Sequence, residues 1–162
     1  MEWREVIEHP ALQNLPFKIE LNEYGKIEMS PASNRHGRLQ GKIYSLFARH
    51  GSTGEIYLEC SIKTRKGVKV ADVAWGSKAF FARHGERTPL PMAPDICVEI
   101  LSPSNSTMEM EEKIDLYLAK GAKEVWLCHD DGNIEIHTPE GIVSSSAIVP
   151  DFPSNILQDV GS

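Results

Sequence analysis

Two short apolar runs each carry one carboxylate: Val70-Ala71-Asp72-Val73-Ala74-Trp75 and Ile96-Cys97-Val98-Glu99-Ile100-Leu101. Taking a charged carboxylate out of water is costly, so an acid inside a strand-like apolar run needs a partner. Asp72 and Glu99 stand 27 positions apart, and two strands could aim both at one cation. Phosphodiester hydrolysis uses such a pair. A divalent cation binds the phosphate and activates a water, and hard cations such as Mg²⁺ prefer carboxylate oxygens. A nearby lysine positions the nucleophile or offsets charge in the transition state. Lys113 stands on the helix expected after the second run. The usual spacing of such sites is Asp … Glu-x-Lys, and two residues after Glu99 stands Leu101. By strict spacing the site is incomplete. Spacing alone also reads Lys113 as a surface lysine, and Asp72 and Glu99 as buried acids satisfied by backbone or arginine partners.

Other chemistry-bearing residues rank lower. His36 opens a predicted helix, with Gln40 four residues later on the same face and Glu28 just upstream. His36 and Glu28 are candidates for the rim of the site. A histidine at a helix start is more often a capping or surface residue. His84, His129 and His137 match no zinc spacing and read as structural or exposed. Asp95 lies roughly 13 Å along the strand from Glu99 and reads as a strand-end residue. Lys63, Arg65, Lys66 and Lys69 form either a solvated hairpin turn or a phosphate-contacting loop. Ser102 and Ser104 read as loop and cap residues. No GxSxG elbow, P-loop or GxGxxG occurs.

The elements that must position these groups follow from periodicity. Residues 1–16 read as an N-terminal helical extension, with a helix from Glu2 to Glu8 ended by Pro10. Phe17–Leu21 and Lys26–Met29 alternate at period two around a turn at Asn22-Glu23-Tyr24-Gly25, a hairpin signal. Leu39, Ile43, Leu46 and Phe47 predict a helix over Asn34–His50. Strands are expected at Ile56–Cys60, Val68–Trp75, Asp95–Leu101, Val125–Cys128, Ile134–His137 and from Gly141. A short helix is expected over Ser77–Arg83, an irregular proline-bearing loop over 85–94, and a helix over Thr107–Lys120 stopped by Gly121. Residues 17–149 form the predicted core. The tail, 150–162, carries Phe152, Ile156 and Leu157, enough to dock. The order predicts an α/β (α+β) fold, a mixed β-sheet flanked by helices, with a right-handed crossover from Asp95 to Cys128.

Composition sets the remaining bounds. The 162 residues suggest one domain. No apolar run approaches the roughly 20 residues of a membrane span. The charged N-terminus lacks a signal-peptide core, so a cytoplasmic location is expected. Cys60, Cys97 and Cys128 are widely spaced and read as buried, reduced thiols. A net charge of −6 argues against coating nucleic acid by bulk positive charge. It does not exclude a nuclease, because a bound divalent cation supplies local positive charge.

Several segments occur together in order: Ile27-Glu28-Met29-Ser30-Pro31 with Arg35-His36-Gly37, Val70–Ala74, Pro94–Ser104, Lys113-Ile114-Asp115-Leu116-Tyr117 and Gly121–Leu127. In that combination the chain resembles the Uma-type restriction endonuclease family of the PD-(D/E)XK nuclease superfamily, over about Phe17 to Val149. The resemblance implies a restriction-endonuclease-like mixed sheet with its metal site at a splayed pair of strands. It implies Asp72, Glu99 and the backbone carbonyl of Ile100 as ligands of Mg²⁺ or Mn²⁺. It places the lysine of the Glu-x-Lys position on the following helix, at Lys113. The family usually has proline before the first acid, where this chain has Ala71. Proline there would stiffen the backbone without binding metal. The resulting expectation is a metal-dependent endodeoxyribonuclease with DNA as substrate, no membrane partner and a homodimeric working unit. The competing expectation is a non-catalytic module that keeps the nuclease fold for binding or assembly.

Overall fold

The computed structural model of the chain describes residues 1–51 and 53–158. The chain enters through α1 (Trp3–Glu8), closed by a 3-10 turn over Pro10–Leu12. The hairpin signal becomes a separate two-stranded ribbon of β1 (Phe17–Leu21) and β2 (Ile27–Pro31). Trp3, Val6 and Leu21 pack with Val68 and Val70 in a small apolar cluster, which seats the ribbon on the main sheet. α2 (Asn34–His50) starts at Ser33, whose Oγ accepts the His36 backbone N–H.

The main sheet has six strands in sequence order. These are β3 (Glu55–Thr64), β4 (Gly67–Gly76), β5 (Ile96–Ile100), β6 (Glu124–Cys128), β7 (Ile134–Thr138) and β8 (Gly141–Val143). β5 and β6 pair in parallel and every other neighbour is antiparallel. α3 (Lys78–His84) leads into the irregular segment before β5, and α4 (Thr107–Ala119) joins β5 to β6. A parallel pair needs such a crossover. β5 and β6 are buried at every position, as their near-continuous apolar runs require.

One face of the sheet meets α2. Leu39, Ile43 and Phe47 pack on Val73, Val98, Ile100 and Trp126. The C-terminal segment closes this side: Phe152 lies with its ring centroid 5.0 Å from Phe47 and 4.7 Å from Trp126. Residues 159–162 of the predicted tail lie outside the described residues. The opposite face meets α4, where Met110, Ile114 and Tyr117 pack on Cys97, Val125 and Leu127. The three cysteines are free and buried.

One local feature positions the site. The β4–β5 ladder runs Trp75↔Ile96, Ala74↔Cys97 and Val73↔Val98, then stops. The next rung would join Asp72 to Glu99. On the other side of β4, the ladder with β3 skips Glu59, which lies opposite Asp72 and has φ 50°. The pairing is thus broken on both sides of Asp72: it ends toward β5 and misses one rung toward β3.

Candidate active site

The opening between β4 and β5 forms the floor of a cleft of about 310 Å³, lined by Lys18, His36, Asp72, Glu99, Ile100 and Lys113 among others. Asp72 and Glu99 are 1% and 2% exposed. Each has one oxygen pinned from behind. Asp72 Oδ2 accepts the Ile100 backbone N–H at 2.7 Å, a bond the lost ladder rung sets free. Glu99 Oε1 accepts the Tyr117 hydroxyl at 2.7 Å and Lys113 Nζ at 3.3 Å. The remaining oxygens converge on one ammonium: Lys18 Nζ lies 3.1 Å from Asp72 Oδ1 and 2.9 Å from Glu99 Oε2. His36 Nε2 lies 3.1 Å from the same Asp72 oxygen. Gln40, one turn further along α2, donates to the Asp72 backbone carbonyl and to Glu59 Oε1, both at 2.8 Å.

A third carboxylate stands behind the pair. Glu20 Oε2 accepts Lys113 Nζ at 2.9 Å and the Val70 backbone N–H at 2.7 Å. Lys113 therefore bridges Glu20 and Glu99 and is 6% exposed. This corrects the surface position that spacing alone suggested. α4 turns Lys113 and Tyr117 inward together, as residues four apart on one helical face.

The charges act on one another. Burial raises the Asp72 carboxyl, but Lys18, the bond from His36 and the Ile100 N–H outweigh it and hold it below its ordinary range. Burial dominates at Glu99. It raises that carboxyl despite Lys113 and Lys18, with Asp72 and Glu20 adding repulsion. The two acids are thus driven apart, as expected of like charges that share a site. Burial opposes ionisation of Glu20 as well, yet Lys113 and Lys18 lower its pKa. Lys18 is raised well above the usual lysine value, its three carboxylate neighbours overcoming burial. The bond to Asp72 raises His36.

Of the residues singled out in the sequence, Asp72, Glu99, Lys113, His36 and Ile100 come together. Glu28 does not. It is exposed and stands opposite Glu20 in the β1–β2 ribbon. It lines a neighbouring groove with Lys66, Lys69 and Glu112. Of the basic residues before Asp72, Lys66 and Lys69 line this groove, where Lys66 pairs with Glu112 at 2.9 Å. Asp95 sits at the far end of β5, where it accepts the Ser77 N–H at 2.8 Å. Sequence reasoning missed Lys18 and Glu20. The period-two alternation of Phe17–Leu21 puts both on the polar face of β1. That pattern reads as a solvent face, whereas here it covers the acid pair. Among the described residues, no group of three or more His, Cys, Asp or Glu side chains is arranged to hold a metal ion.

A mixed sheet flanked by helices, opened between an antiparallel pair of strands at two buried acids, is a restriction-endonuclease-like architecture. The family described as "Uma2: Putative restriction endonuclease" matches residues 3–159. The chain belongs to the Uma2 family. A crystal structure of a "putative nuclease belonging to DUF820" from Anabaena variabilis is similar, with a TM-score of 0.73. The match covers 97% of this chain and 96% of that one at 20% identity, a likeness of fold. No curated protein matches the chain.

Proposed function

We propose that the chain is a metal-dependent endonuclease that hydrolyses phosphodiester bonds in DNA. One observation carries this reading. Asp72 and Glu99 each have one oxygen fixed by the protein and one oxygen presented to a shared cation position. The donors fit Mg²⁺ or Mn²⁺. They are hard carboxylate oxygens on adjacent strands, and Mg²⁺ is commonly held by one or two carboxylates together with waters and substrate phosphate. Asp72, Glu99 and the carbonyl of Ile100 would hold it, and the ion when bound would supply Lewis-acid stabilisation of the phosphate and an acidified water.

The other residues have defined tasks in this reading. Tyr117 and the Ile100 N–H fix the two carboxylates, so that their free oxygens need no reorganisation. Lys113, tied to Glu20 and Glu99, presents positive charge to the attacking water and the scissile phosphate. His36 reaches the cleft from the start of α2 and can exchange a proton at Nε2. We read the working unit as a homodimer, since cutting both strands of a duplex favours two-fold symmetry, acting in the cytoplasm.

A second reading, a non-catalytic module of the same fold, is favoured by one observation: Lys18 already pairs with both acids. Calorimetry with Mn²⁺ and Mg²⁺, followed by a plasmid-nicking assay, separates the two. The nuclease reading expects the parent to bind and nick, and Asp72→Ala and Glu99→Ala to lose both. A parent that binds neither metal, with a DNA duplex present, overturns it in favour of the module.

A further inference from the structure

We propose that Lys18 is the resident counter-cation of the acid pair, and that a divalent ion entering between Asp72 and Glu99 must expel its ammonium. The inference rests on the metal-dependent reading above and adds a residue to it. Lys18 Nζ bonds both of the oxygens turned toward the cleft, Asp72 Oδ1 at 3.1 Å and Glu99 Oε2 at 2.9 Å, and shares the first with His36 Nε2. An ion at roughly 2.0–2.6 Å from those oxygens would overlap the ammonium, so the two occupants exclude each other.

Charge balance points the same way. Glu20, Asp72 and Glu99 bring three negative charges, and Lys113 brings one positive charge that bridges Glu20 and Glu99. Before His36 is counted, a divalent ion and Lys113 neutralise the three acids without Lys18. Keeping Lys18 beside the ion would add uncompensated positive charge in a buried setting. The lysine has somewhere to go. It arises from the β1–β2 ribbon and not from the main sheet, and it lines the open cleft. Its flexible four-carbon stem lets the ammonium swing outward while β4, β5 and α4 stay in place. The cleft is where a substrate phosphate would lie, so the expelled ammonium would meet an anion there.

The test is Mn²⁺ binding by calorimetry, comparing the parent with Lys18→Met. Expulsion of Lys18 predicts affinity higher by on the order of tenfold or more in the variant, because a buried ion pair no longer has to be broken. Equal or weaker binding by Lys18→Met, with the parent binding, overturns this inference and leaves the nuclease reading standing. Binding by neither protein overturns both. A second measurement needs no substitution: reductive methylation of the parent read by mass spectrometry. Modification of Lys18 should rise when Mn²⁺ saturates the protein. A Lys18 that stays equally protected with and without Mn²⁺ overturns the proposal.

Discussion

At the residue scale, the site is a set of buried charges that support one another, and each is exposed to the loss of its neighbour. Lys113 is the clearest case, since its ammonium pairs with both Glu20 and Glu99. Lys113→Ala leaves those buried acids short of a cation. Breaking a buried pair from one side costs about 3–5 kcal/mol, so urea denaturation at neutral pH should show a loss of that order. His36 makes a prediction in pH. Its bond to Asp72 raises its pKa above the ordinary 6.5. The folded protein then holds the proton through a window in which the unfolded chain has released it. The stabilisation is complete below about pH 6.5 and is lost as pH rises through the raised folded value. Thermal midpoints of metal-free parent and His36→Gln, compared at pH 6 and pH 8.5, should show the parent falling further between the two. Parallel slopes would mean that the His36–Asp72 contact does not form in solution. These residues were unequally legible. Asp72 and Glu99 stand out because an acid interrupts an apolar run. Lys18 and Glu20 do not, because an alternating strand looks the same whether its polar face meets water or a charged cleft.

At the element scale, the end of the β4–β5 ladder at Val73↔Val98 determines the site. Periodicity found both strands, β2, α2 and α4 within a few residues of their ends. It could not show that the pairing stops one rung before the two acids, since register depends on the whole sheet and not on either strand. Nor could it show the positive φ of Glu59, where the ladder with β3 misses a rung opposite Asp72. The β1–β2 ribbon is the element most open to perturbation, because it is a separate two-stranded sheet, seated on β4 through a small apolar cluster and on the site through the ion pairs of Lys18 and Glu20. Its support includes the β3–β4 turn. Gly67 has φ 90°, and a Cβ there would collide with the backbone carbonyl oxygens of Leu21 and Asn22. Gly67→Ala should cost about 1–3 kcal/mol from backbone strain, with the collision adding to it. Because the displaced strand carries Lys18 and Glu20, the same variant should also change Mn²⁺ affinity. A variant that keeps the parent's thermal midpoint and Mn²⁺ affinity would show that the turn and the ribbon are independent.

At the scale of the whole molecule, charge and chemistry pull in opposite directions. The chain carries a net charge of −6, while the proposed substrate is a polyanion whose affinity for proteins comes largely from neutralised phosphates. The described cleft offers Lys18 and Lys113, and both are committed to carboxylates. Without a metal ion, duplex DNA meets an acidic surface and a floor whose positive charge is already spent. A divalent ion held by Asp72 and Glu99 would reverse the local sign and, by releasing Lys18, add a second free cation. DNA affinity should therefore depend on the metal as strongly as cleavage does. Fluorescence anisotropy of a labelled duplex at low salt should show weak association in EDTA and a rise in affinity as Mn²⁺ is added. That rise should be absent in Asp72→Ala and Glu99→Ala. It should also shrink with added monovalent salt, since counterion release drives phosphate contacts. If the duplex instead binds equally well in EDTA and in Mn²⁺, the contact surface lies away from the acid pair. The fold would then act on DNA through a face that these carboxylates do not control.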